Sequence, residues 1–331
     1  MILPVSLGAQ SYEIVLRRGA LDHLDFDLNR RVLVVTDSGV PEQYARRVMA
    51  QCAQPTLAVL PAGEASKSFP ELQRLLSLLL HTAFGRGDCV VAVGGGVVGD
   101  LSGFAAACYM RGIDFYNLPT TLLSQVDSSI GGKTAVNFES VKNAVGAFHQ
   151  PKRVIIDPDT LDTLDARQRR AGLAEAIKMA ATGDAALFSY LESTAAPDLS
   201  KVIEHSLRYK ASVVQQDPTE HGLRRVLNFG HTIGHAIESF YGGKLLHGEC
   251  VALGMLPMCS AEVRPRLRRV LELHGLPTHC ALTADELLPY LLHDKKRQAD
   301  RFIAVTVEQV GTFALHELTA REICRLWEEN A

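Results

Sequence analysis

A short apolar run that ends in a cluster of glycines constrains the fold most strongly. Residues 90–93 are Val-Val-Ala-Val, and residues 94–100 are Gly-Gly-Gly-Val-Val-Gly-Asp. An apolar, β-branched run of this length is typical of a strand buried on both faces of a parallel sheet. The glycines satisfy G-x-G-x-x-G, which lets backbone N–H groups approach a pyrophosphate at the start of a helix. The segment therefore predicts an α/β sheet with a candidate dinucleotide turn, although a tight turn without a ligand has the same pattern.

Strand-like runs alternate with helical patterns up to about residue 160, and helical patterns dominate after it. We predict an α/β N-terminal domain with a Rossmann-like parallel sheet, residues 1–160, and a mainly α-helical C-terminal domain, residues 161–331. The predicted strands are 32–36, 56–60, 89–93, 113–118 and 153–157, followed by 302–307 with 310–315 as its partner. The predicted helices are 41–52, 70–80, 171–191, 200–215, 232–239, 249–263, 266–274, 285–292 and 320–330.

Composition and charge exclude several classes of partner. Lys plus Arg number 34 and Asp plus Glu 37, a balance that argues against a nucleic-acid binder or a protein that binds anionic membranes. The longest apolar stretch, residues 89–110, is interrupted by glycines and Asp100, so we expect no membrane span. Seven cysteines without a C-x-x-C pair are typical of reduced thiols, and we therefore expect a cytoplasmic protein.

Histidines and one carboxylate suggest a metal site in the helical half. His231 and His235 are four residues apart and share one face of a helix, where they can supply two nitrogen ligands to zinc. His247 lies in His-Gly-Glu, and Glu175 is a carboxylate among apolar helical neighbours. A catalytic zinc takes three protein ligands and leaves one position open. The four candidates exceed this number by one, and their spacing does not say which is not a ligand. A histidine of the pair can equally cap the helix or pack in the core.

Basic residues in glycine-rich or apolar stretches are candidate anion binders. A single lysine is more often a solvated surface charge, but a charge in such a stretch has no evident structural use. Arginine would bind a carboxylate or phosphate through two hydrogen bonds, and lysine would act as a point charge. The set is Arg111, Lys133, Lys142, Lys178, Lys210, Arg224, Lys295 and Lys296. Asp37, at the end of the 32–36 strand, is the best candidate for binding a ribose hydroxyl.

Taken together, these motifs resemble the 3-dehydroquinate synthase family, which are sugar phosphate cyclases of the shikimate pathway. The similarity runs from about residue 31 to about residue 305, in the same order along the chain. Its densest parts are 94–100, Tyr109-Met110-Arg111-Gly112, 119–134, Gly172-Leu173-Ala174-Glu175, 228–235, His247-Gly248-Glu249 and Asp294-Lys295-Lys296.

The resemblance implies NAD and one divalent metal, Zn²⁺ or Co²⁺, as cofactors. It implies Glu175, His231 and His247 as the metal ligands, with His235 as the spare histidine near the substrate. Lys133 and Lys142 are implied to serve both the cofactor and the substrate. The implied NAD contacts are Asp37, Glu64, Lys67, Gly95, Gly96, Val97, Val98, Gly99, Asp100, Thr120, Thr121, Lys133, Lys142, Thr160, Leu161 and Thr163.

The substrate implied by the resemblance is 3-deoxy-D-arabino-heptulosonate 7-phosphate, and the product is 3-dehydroquinate. A homodimer is also implied, with no nucleic-acid or membrane partner. The implied substrate and catalytic residues come from both predicted domains. They are Arg111, Asp127, Lys133, Asn143, Lys178, Lys210, Arg224, Asn228, His235 and Lys296.

The chain departs from the family pattern at a few positions, and rival functions stay open. Val141 stands where members usually have glycine, and the region 258–266 is shortened. A sister cyclase acting on sedoheptulose 7-phosphate, glucose 6-phosphate or an amino analogue would share the NAD and metal sites. A metal-dependent alcohol or glycerol-phosphate dehydrogenase would release NADH. An inactive homologue that acts as a binding protein is disfavoured by the intact Glu175, His231 and His247.

Overall fold

The structure is a computed structural model that describes residues 1–139, 141–292 and 301–330. It divides into two compact units, Met1–Leu164 and Asp165–Ala331. The sequence prediction places this division after residue 160. No helix among the described residues is long and apolar enough to cross a lipid bilayer.

The first unit is built on a seven-stranded, mostly parallel sheet, which confirms the predicted fold class. The strand order is β1-β2-β9-β6-β5-β3-β4, and only β1 and β2 pair in an antiparallel way within this sheet. The described strands of this unit, of which β7 and β8 lie outside the sheet, are β1 Ile2–Val5, β2 Tyr12–Leu16, β3 Arg31–Asp37, β4 Gln54–Leu60, β5 Cys89–Gly94, β6 Asp114–Pro119, β7 Lys133–Phe138, β8 Val141–Phe148 and β9 Arg153–Ile156. The helices are α1 Glu42–Met49, α2 Phe69–His81 and α3 Gly96–Cys108.

The central strands are apolar throughout because both faces of the sheet are covered. In β3, Leu33 packs in a core that includes residues of α2 and α3, such as Leu75. Its neighbour Val32 packs on the opposite face in a second core that includes Tyr44 of α1. Successive side chains of a strand point to opposite faces, so a strand covered on both sides loses the polar positions that alternation otherwise provides.

The strand order places a topological switch between β3 and β5. The chain runs from β3 to its neighbour β4 on one side and then crosses to β5 on the other side. Since β3 and β5 are parallel, with Val35 opposite Ala92, their carboxyl ends lie at the same edge of the sheet. Ligands of open α/β sheets bind outside the carboxyl ends of strands at such a point. The fold therefore brings Asp37 and the glycine turn to adjacent strand ends.

The sequence reading missed two features of this unit. The β1–β2 pair extends the sheet at one edge, and β7 and β8 form a separate antiparallel hairpin. Strand β8 is largely exposed, so it lacks the apolar run that identified the buried strands. Val141 lies in β8 without a positive φ, so its backbone does not require a glycine.

The second unit consists mainly of helices. Helix α4 is buried along its length from Ala171 to Thr182, Glu175 and Lys178 included. The elements are α4 Ala166–Gly183, α5 Ala185–Ser193, α6 Leu199–Gln216, α7 His231–Tyr241, α8 His247–Met255, α9 Val263–Leu273, α10 Ala284–Leu292, β10 Arg301–Thr306, β11 Ala314–Thr319 and α11 Ala320–Asn330.

Three predicted elements of the second half are wrong in their extent. The helix expected over 171–191 is two helices, because Asp184 leaves the helical conformation and its side chain accepts a hydrogen bond from Leu187 N, as an N-cap of α5. The helix expected over 249–263 ends at Met255; the chain then turns at Pro257, which has no backbone N–H to donate. The partner of β10 is Ala314–Thr319 instead of 310–315.

Candidate active site

Helices α4, α7 and α8 approach one another closely because glycines lie at their contacts. A Cβ on Gly248 would lie 1.9 Å from the carbonyl oxygen of Ala171, and a Cβ on Gly254 would lie 2.1 Å from that of Gly230. Both distances are far below van der Waals contact, so neither position accepts a larger residue without a backbone shift. This packing explains the glycine of His-Gly-Glu and brings His247, at the start of α8, towards α4.

The three histidines of the sequence prediction lie together in the second unit. One ring nitrogen from each of His231, His235 and His247 lies within 4.8 Å of the others, a spacing that allows one metal ion to be held. His231 and His235 come from one face of α7 and His247 from the first turn of α8. We call these three residues together with Glu175 the metal cluster.

Glu175 faces this group from α4 and is almost fully buried. Its Oε1 lies 3.3 Å from His247 Nε2 and 3.7 Å from His231 Nε2. Its Oε2 lies 2.5 Å from the ammonium nitrogen of Lys178, which is equally buried. Within the part of the chain that the structure describes, neither carboxylate oxygen has a hydrogen bond of normal geometry. Lys178 offsets the charge at Oε2, whereas Oε1 faces two imidazole nitrogens, so the donor set and its charge fit a divalent metal.

The electrostatics of His247 also favour positive charge in the metal cluster. Burial alone would lower the pKa of His247, but the neighbouring carboxylates of Glu175 and Glu238 outweigh it and raise the pKa to about 9. The Glu238 contact, Oε2 to His247 Nδ1 at 3.2 Å, was not anticipated from the sequence. The signal was present, since Glu238 lies three residues after His235 and therefore on the same face of α7.

The start of α8 is held by a second carboxylate. Glu249 Oε2 accepts a hydrogen bond from Leu246 N at 2.8 Å, and both Glu249 oxygens lie 2.7 Å from the guanidinium of Arg167 in α4. Burial would raise the pKa of Glu249, but the hydrogen bond from Arg167 and that from Leu246 together lower it. The glutamate of His-Gly-Glu thus ties the helix that carries His247 to the helix that carries Glu175.

The turn before α7, which carries the predicted residue Arg224, is held by a carboxylate. Asp217, at the end of α6, accepts hydrogen bonds from the backbone of His221, Gly222 and Arg224 at 3.0, 2.7 and 3.0 Å. Burial would raise the pKa of Asp217, but these donors outweigh it and lower the pKa to about 2. Asp217 was not among the predicted residues, yet it fixes the backbone that carries Arg224.

The other side chains of this turn are ordered by local bonds. Arg224 is buried and donates a hydrogen bond to the carbonyl of Pro218. Asn228 donates to Glu220 Oε1 at 2.6 Å. Lys210 is buried on α6. The predicted anion binders Lys295 and Lys296 lie outside the described residues.

In the first unit, the glycine turn, residues 94–100, leads from β5 into α3. Helix α3 begins at Gly96 with Gly95 as its N-cap, so the first backbone N–H groups of the helix lie in the turn. Thr120 N donates to Gly94 O at 2.9 Å, and a Cβ on Gly95 would lie 3.0 Å from Thr121 Cγ2. The predicted Thr120-Thr121 contact is therefore next to the turn, and the glycines keep the backbone accessible.

Four predicted residues and one unpredicted residue form a polar network near this turn. The buried Lys67 ammonium lies 2.7 Å from Asp100 Oδ2 and 4.0 Å from Glu64 Oε1, and it donates a hydrogen bond to Asn143 Oδ1. Asn137 links both sides, since its amide donates to Glu64 Oε1 and its Oδ1 accepts from Asn143 N, each at 2.9 Å. We call Glu64, Lys67, Asp100, Asn137 and Asn143 the lysine network.

The remaining predicted residues of the first unit lie at a strand end, in two helical turns and on exposed segments. Asp37 Oδ1 accepts from Gly39 N at 2.8 Å, and the buried Thr160 Oγ1 accepts from Gln125 at 2.9 Å. The chain segment that carries Thr160 is fixed further by Tyr44, which bonds Thr163 Oγ1 at 2.8 Å. Asp127 lies in the helical turn Ser124–Ser128 and Leu161 is buried. Arg111, Lys133 and Lys142 are exposed, and Arg111 has a φ of 66°.

Comparison with known proteins identifies the family. Family models for the 3-dehydroquinate synthase N-terminal and C-terminal parts match residues 57–171 and 172–297. The chain belongs to the 3-dehydroquinate synthase family. It is 42% identical to 3-dehydroquinate synthase of Desulforamulus reducens, over 93% of this chain and 94% of that protein.

Two solved structures of related cyclases have the same fold. A 2-epi-5-epi-valiolone synthase from Streptomyces hygroscopicus with NAD⁺ and Zn²⁺ bound is 29% identical, with a TM-score of 0.89 over 98% of both chains. A 2-deoxy-scyllo-inosose synthase complexed with carbaglucose-6-phosphate, NAD⁺ and Co²⁺ is 26% identical, with a TM-score of 0.90 over the full length of both. The predicted family is therefore confirmed.

Proposed function

We propose that this enzyme converts 3-deoxy-D-arabino-heptulosonate 7-phosphate to 3-dehydroquinate and inorganic phosphate. The observation that carries the proposal is the buried Glu175 carboxylate, without a normal hydrogen bond, facing His231 and His247 in a chain of this family. The reaction is a transient oxidation of the C5 carbinol, loss of phosphate by elimination, re-reduction, ring opening and aldol closure. This makes the enzyme a carbon–oxygen lyase acting on a phosphate.

Glu175, His231 and His247 would hold the divalent metal, Zn²⁺ or Co²⁺. Glu175 Oε1 lies 3.3 Å from His247 Nε2 and 3.7 Å from His231 Nε2, and the buried carboxylate gives the site one negative charge to balance the cation. His235 is close enough to the other histidines to be an alternative ligand. When bound, the metal polarises the C5 oxygen and NAD⁺ takes up and returns the hydride.

Residues of the first unit would bind NAD⁺. The open backbone of the glycine turn and the N-terminus of α3 suit a pyrophosphate, since N–H groups and the helix dipole both favour an anion there. Asp37 lies at the end of the neighbouring strand, where a carboxylate can accept hydrogen bonds from ribose hydroxyls. Lys67 and Asp100, two members of the lysine network, would contact the same cofactor.

Basic and amide side chains would hold the anionic groups of the substrate. Arg224, Lys178 and Lys210 are buried cations in the second unit, and burial of cations favours an anionic ligand. The ammonium of Lys178 lies 2.5 Å from Glu175 Oε2 and so offsets part of the charge of that carboxylate. The other residues proposed to contact the substrate are Arg111, Asp127, Lys133, Lys142, Asn143, Asn228, His235 and Lys296.

An assay of phosphate release tests the reaction and its rivals. The purified enzyme with zinc and a catalytic amount of NAD⁺ is given 3-deoxy-D-arabino-heptulosonate 7-phosphate, sedoheptulose 7-phosphate or glucose 6-phosphate. We expect turnover of the first only, with phosphate and carbocycle formed in equal amounts and no net NADH. Stoichiometric NADH would favour a dehydrogenase, and turnover of another sugar phosphate would favour a sister cyclase.

Single replacements of the proposed metal ligands test the metal assignment separately. His231→Ala, His247→Ala and Glu175→Ala should each abolish tight zinc binding, measured by competition with a chromophoric chelator. His235→Ala is the matched control and should bind zinc as the unaltered protein does. Full zinc occupancy in His247→Ala, together with loss in His235→Ala, would reassign the third ligand to His235. A cytoplasmic homodimer is proposed as well, and sedimentation of the purified enzyme tests the dimer.

A further inference from the structure

A third polar residue of α7 lies on the same face as its two histidines. Glu238 follows His231 by seven residues and His235 by three, so all three side chains project towards the start of α8. Its side chain is only 11% exposed, and its Oε2 lies 3.2 Å from His247 Nδ1. A glutamate at this depth needs a partner, and the His247 ring supplies one.

The two ring nitrogens of His247 are divided between two carboxylates. Nε2 lies 3.3 Å from Glu175 Oε1, on the side of the metal cluster, and Nδ1 faces Glu238. A neutral imidazole donates from one nitrogen and accepts, or binds a metal, with the other. A carboxylate at Nδ1 can only accept, so it holds a proton on Nδ1 and leaves Nε2 as the nitrogen that would bind a metal.

His231 shows the same arrangement with a different acceptor. Its Nδ1 lies 3.1 Å from the carbonyl oxygen of Phe229, and its Nε2 is the nitrogen that faces Glu175. Both histidines therefore have Nδ1 against an acceptor and Nε2 towards the metal cluster. His231 takes its acceptor from the backbone, which substitution cannot remove, whereas His247 depends on a side chain.

We infer that Glu238 is a positioning residue for the metal, acting through His247. It fixes the tautomer and the ring orientation of His247, and its charge raises the basicity of the nitrogen that binds the metal. This inference rests on the proposed function, because it takes His247 as a metal ligand. It assigns Glu238 no contact with the substrate, with NAD⁺ or with the metal itself.

The first test measures zinc affinity in two variants that weaken or remove the acceptor at position 238. Glu238→Gln keeps the size and one amide oxygen, and Glu238→Ala removes the acceptor. We expect zinc affinity to fall roughly 10-fold in Glu238→Gln and up to about 100-fold in Glu238→Ala. Glu204→Gln is the matched control: Glu204 pairs with Arg208 on α6 and should leave the affinity unchanged. Unchanged affinity in Glu238→Ala would overturn the inference.

A double-substitution cycle separates positioning from a general structural role. In a His247→Ala background, Glu238→Ala should lower the weak residual zinc affinity, measured at high zinc concentration, by less than about twofold, because the ring through which it acts is gone. An undiminished effect in that background would mean that Glu238 acts on the fold and not through His247. Thermal unfolding of the metal-free variants checks that each protein is folded.

The cobalt-loaded proteins supply a spectroscopic readout that does not depend on activity. The visible absorption of bound Co²⁺ reports its ligand geometry, and Glu238→Gln should alter that spectrum when all sites are filled. An identical spectrum together with unchanged affinity contradicts the inference. Failure of the unaltered protein to bind either metal is a different outcome, because it contradicts the proposed function itself.

Discussion

The glycine turn and the metal cluster are built in opposite ways. The turn offers backbone N–H groups at the start of a helix, and its side chains are mostly absent. The metal cluster offers side chains from three helices, with Glu175 buried and without a normal hydrogen bond. A site made of backbone depends on where a strand ends, whereas a site made of buried side chains depends on how closely helices pack.

The charges near the two sites are balanced differently as well. Near the glycine turn, Lys67 contacts the carboxylate of Asp100 and the amide of Asn143, so the polar groups satisfy one another. In the metal cluster, Glu175 and Glu238 place two carboxylates beside His247, and Lys178 offsets only part of their charge. Loss of a bound cation should therefore destabilise the metal cluster more than it destabilises the region of the glycine turn.

The largest expected effect comes from breaking the helix packing. Gly248→Ala would force α8 away from α4, since its Cβ would lie 1.9 Å from Ala171 O. We expect a loss of about 3 kcal/mol in the free energy of unfolding and roughly 100-fold in zinc affinity. Gly87→Ala is the control, because a Cβ at Gly87 has open space around it. A Gly248→Ala protein that binds zinc normally would show that the cluster tolerates separation of these helices.

A smaller effect is expected at the turn before α7. Asp217→Asn removes the charge that accepts hydrogen bonds from the backbone of His221, Gly222 and Arg224. We expect a loss of about 2 kcal/mol in the free energy of unfolding at neutral pH, measured in urea, and weaker substrate binding through Arg224.

The pH dependence of that loss has a definite sign. Because the folded-state pKa of Asp217 is lowered from 3.8 to about 2, its contribution to stability is full above 3.8 and is lost as the pH falls towards 2. The difference between Asp217→Asn and the unaltered protein should therefore shrink over that range. Asp165→Asn, at the exposed N-cap of α4, is the control for loss of a carboxylate charge, and little change is expected because asparagine caps a helix about as well as aspartate. Equal pH profiles for the two variants would contradict the special role of Asp217.

A substitution in the lysine network should affect NAD⁺ binding and not zinc binding, whereas Gly248→Ala should affect zinc binding. Lys67→Met should weaken NAD⁺ binding roughly 10-fold, because Asp100 and Asn143 lose the cation that holds them, and should leave zinc affinity unchanged. Lys152→Met removes an exposed lysine paired with Asp114 and serves as the control. If Lys67→Met lowers zinc affinity as much as NAD⁺ affinity, the lysine network also affects the metal cluster, which contradicts this prediction.

The same contrast explains how much could be predicted from the sequence. The buried strands and the glycine turn are local patterns, so β3, β5 and the start of α3 were recognisable from apolar runs and glycine spacing. Glu175 was found because a carboxylate stands out in an apolar helix. Glu238 was missed because its partner His247 lies on another helix, although its place on the face of α7 was visible. Asp217 and Asn137 were missed because they accept hydrogen bonds from backbone N–H groups, which no side-chain motif marks. The hairpin β7–β8 was missed because exposed strands lack the apolar signal.

The smallest expected effect concerns a buried histidine outside both sites. His274 donates from Nε2 to the carbonyl of Leu191 at 2.9 Å, and burial lowers its pKa below the ordinary value of 6.5. The folded state therefore favours the neutral ring, so this contribution to stability is full above 6.5 and declines as the pH falls below it. His274→Gln keeps a donor for Leu191 and removes the titration, so urea unfolding should show a shallower loss of stability between neutral and mildly acidic pH. His279→Gln, at an exposed histidine, should leave the slope unchanged. Because His274 lies outside the metal cluster, its slope should be the same with and without zinc; a slope that disappears when zinc is added would assign the pH dependence to the metal cluster instead.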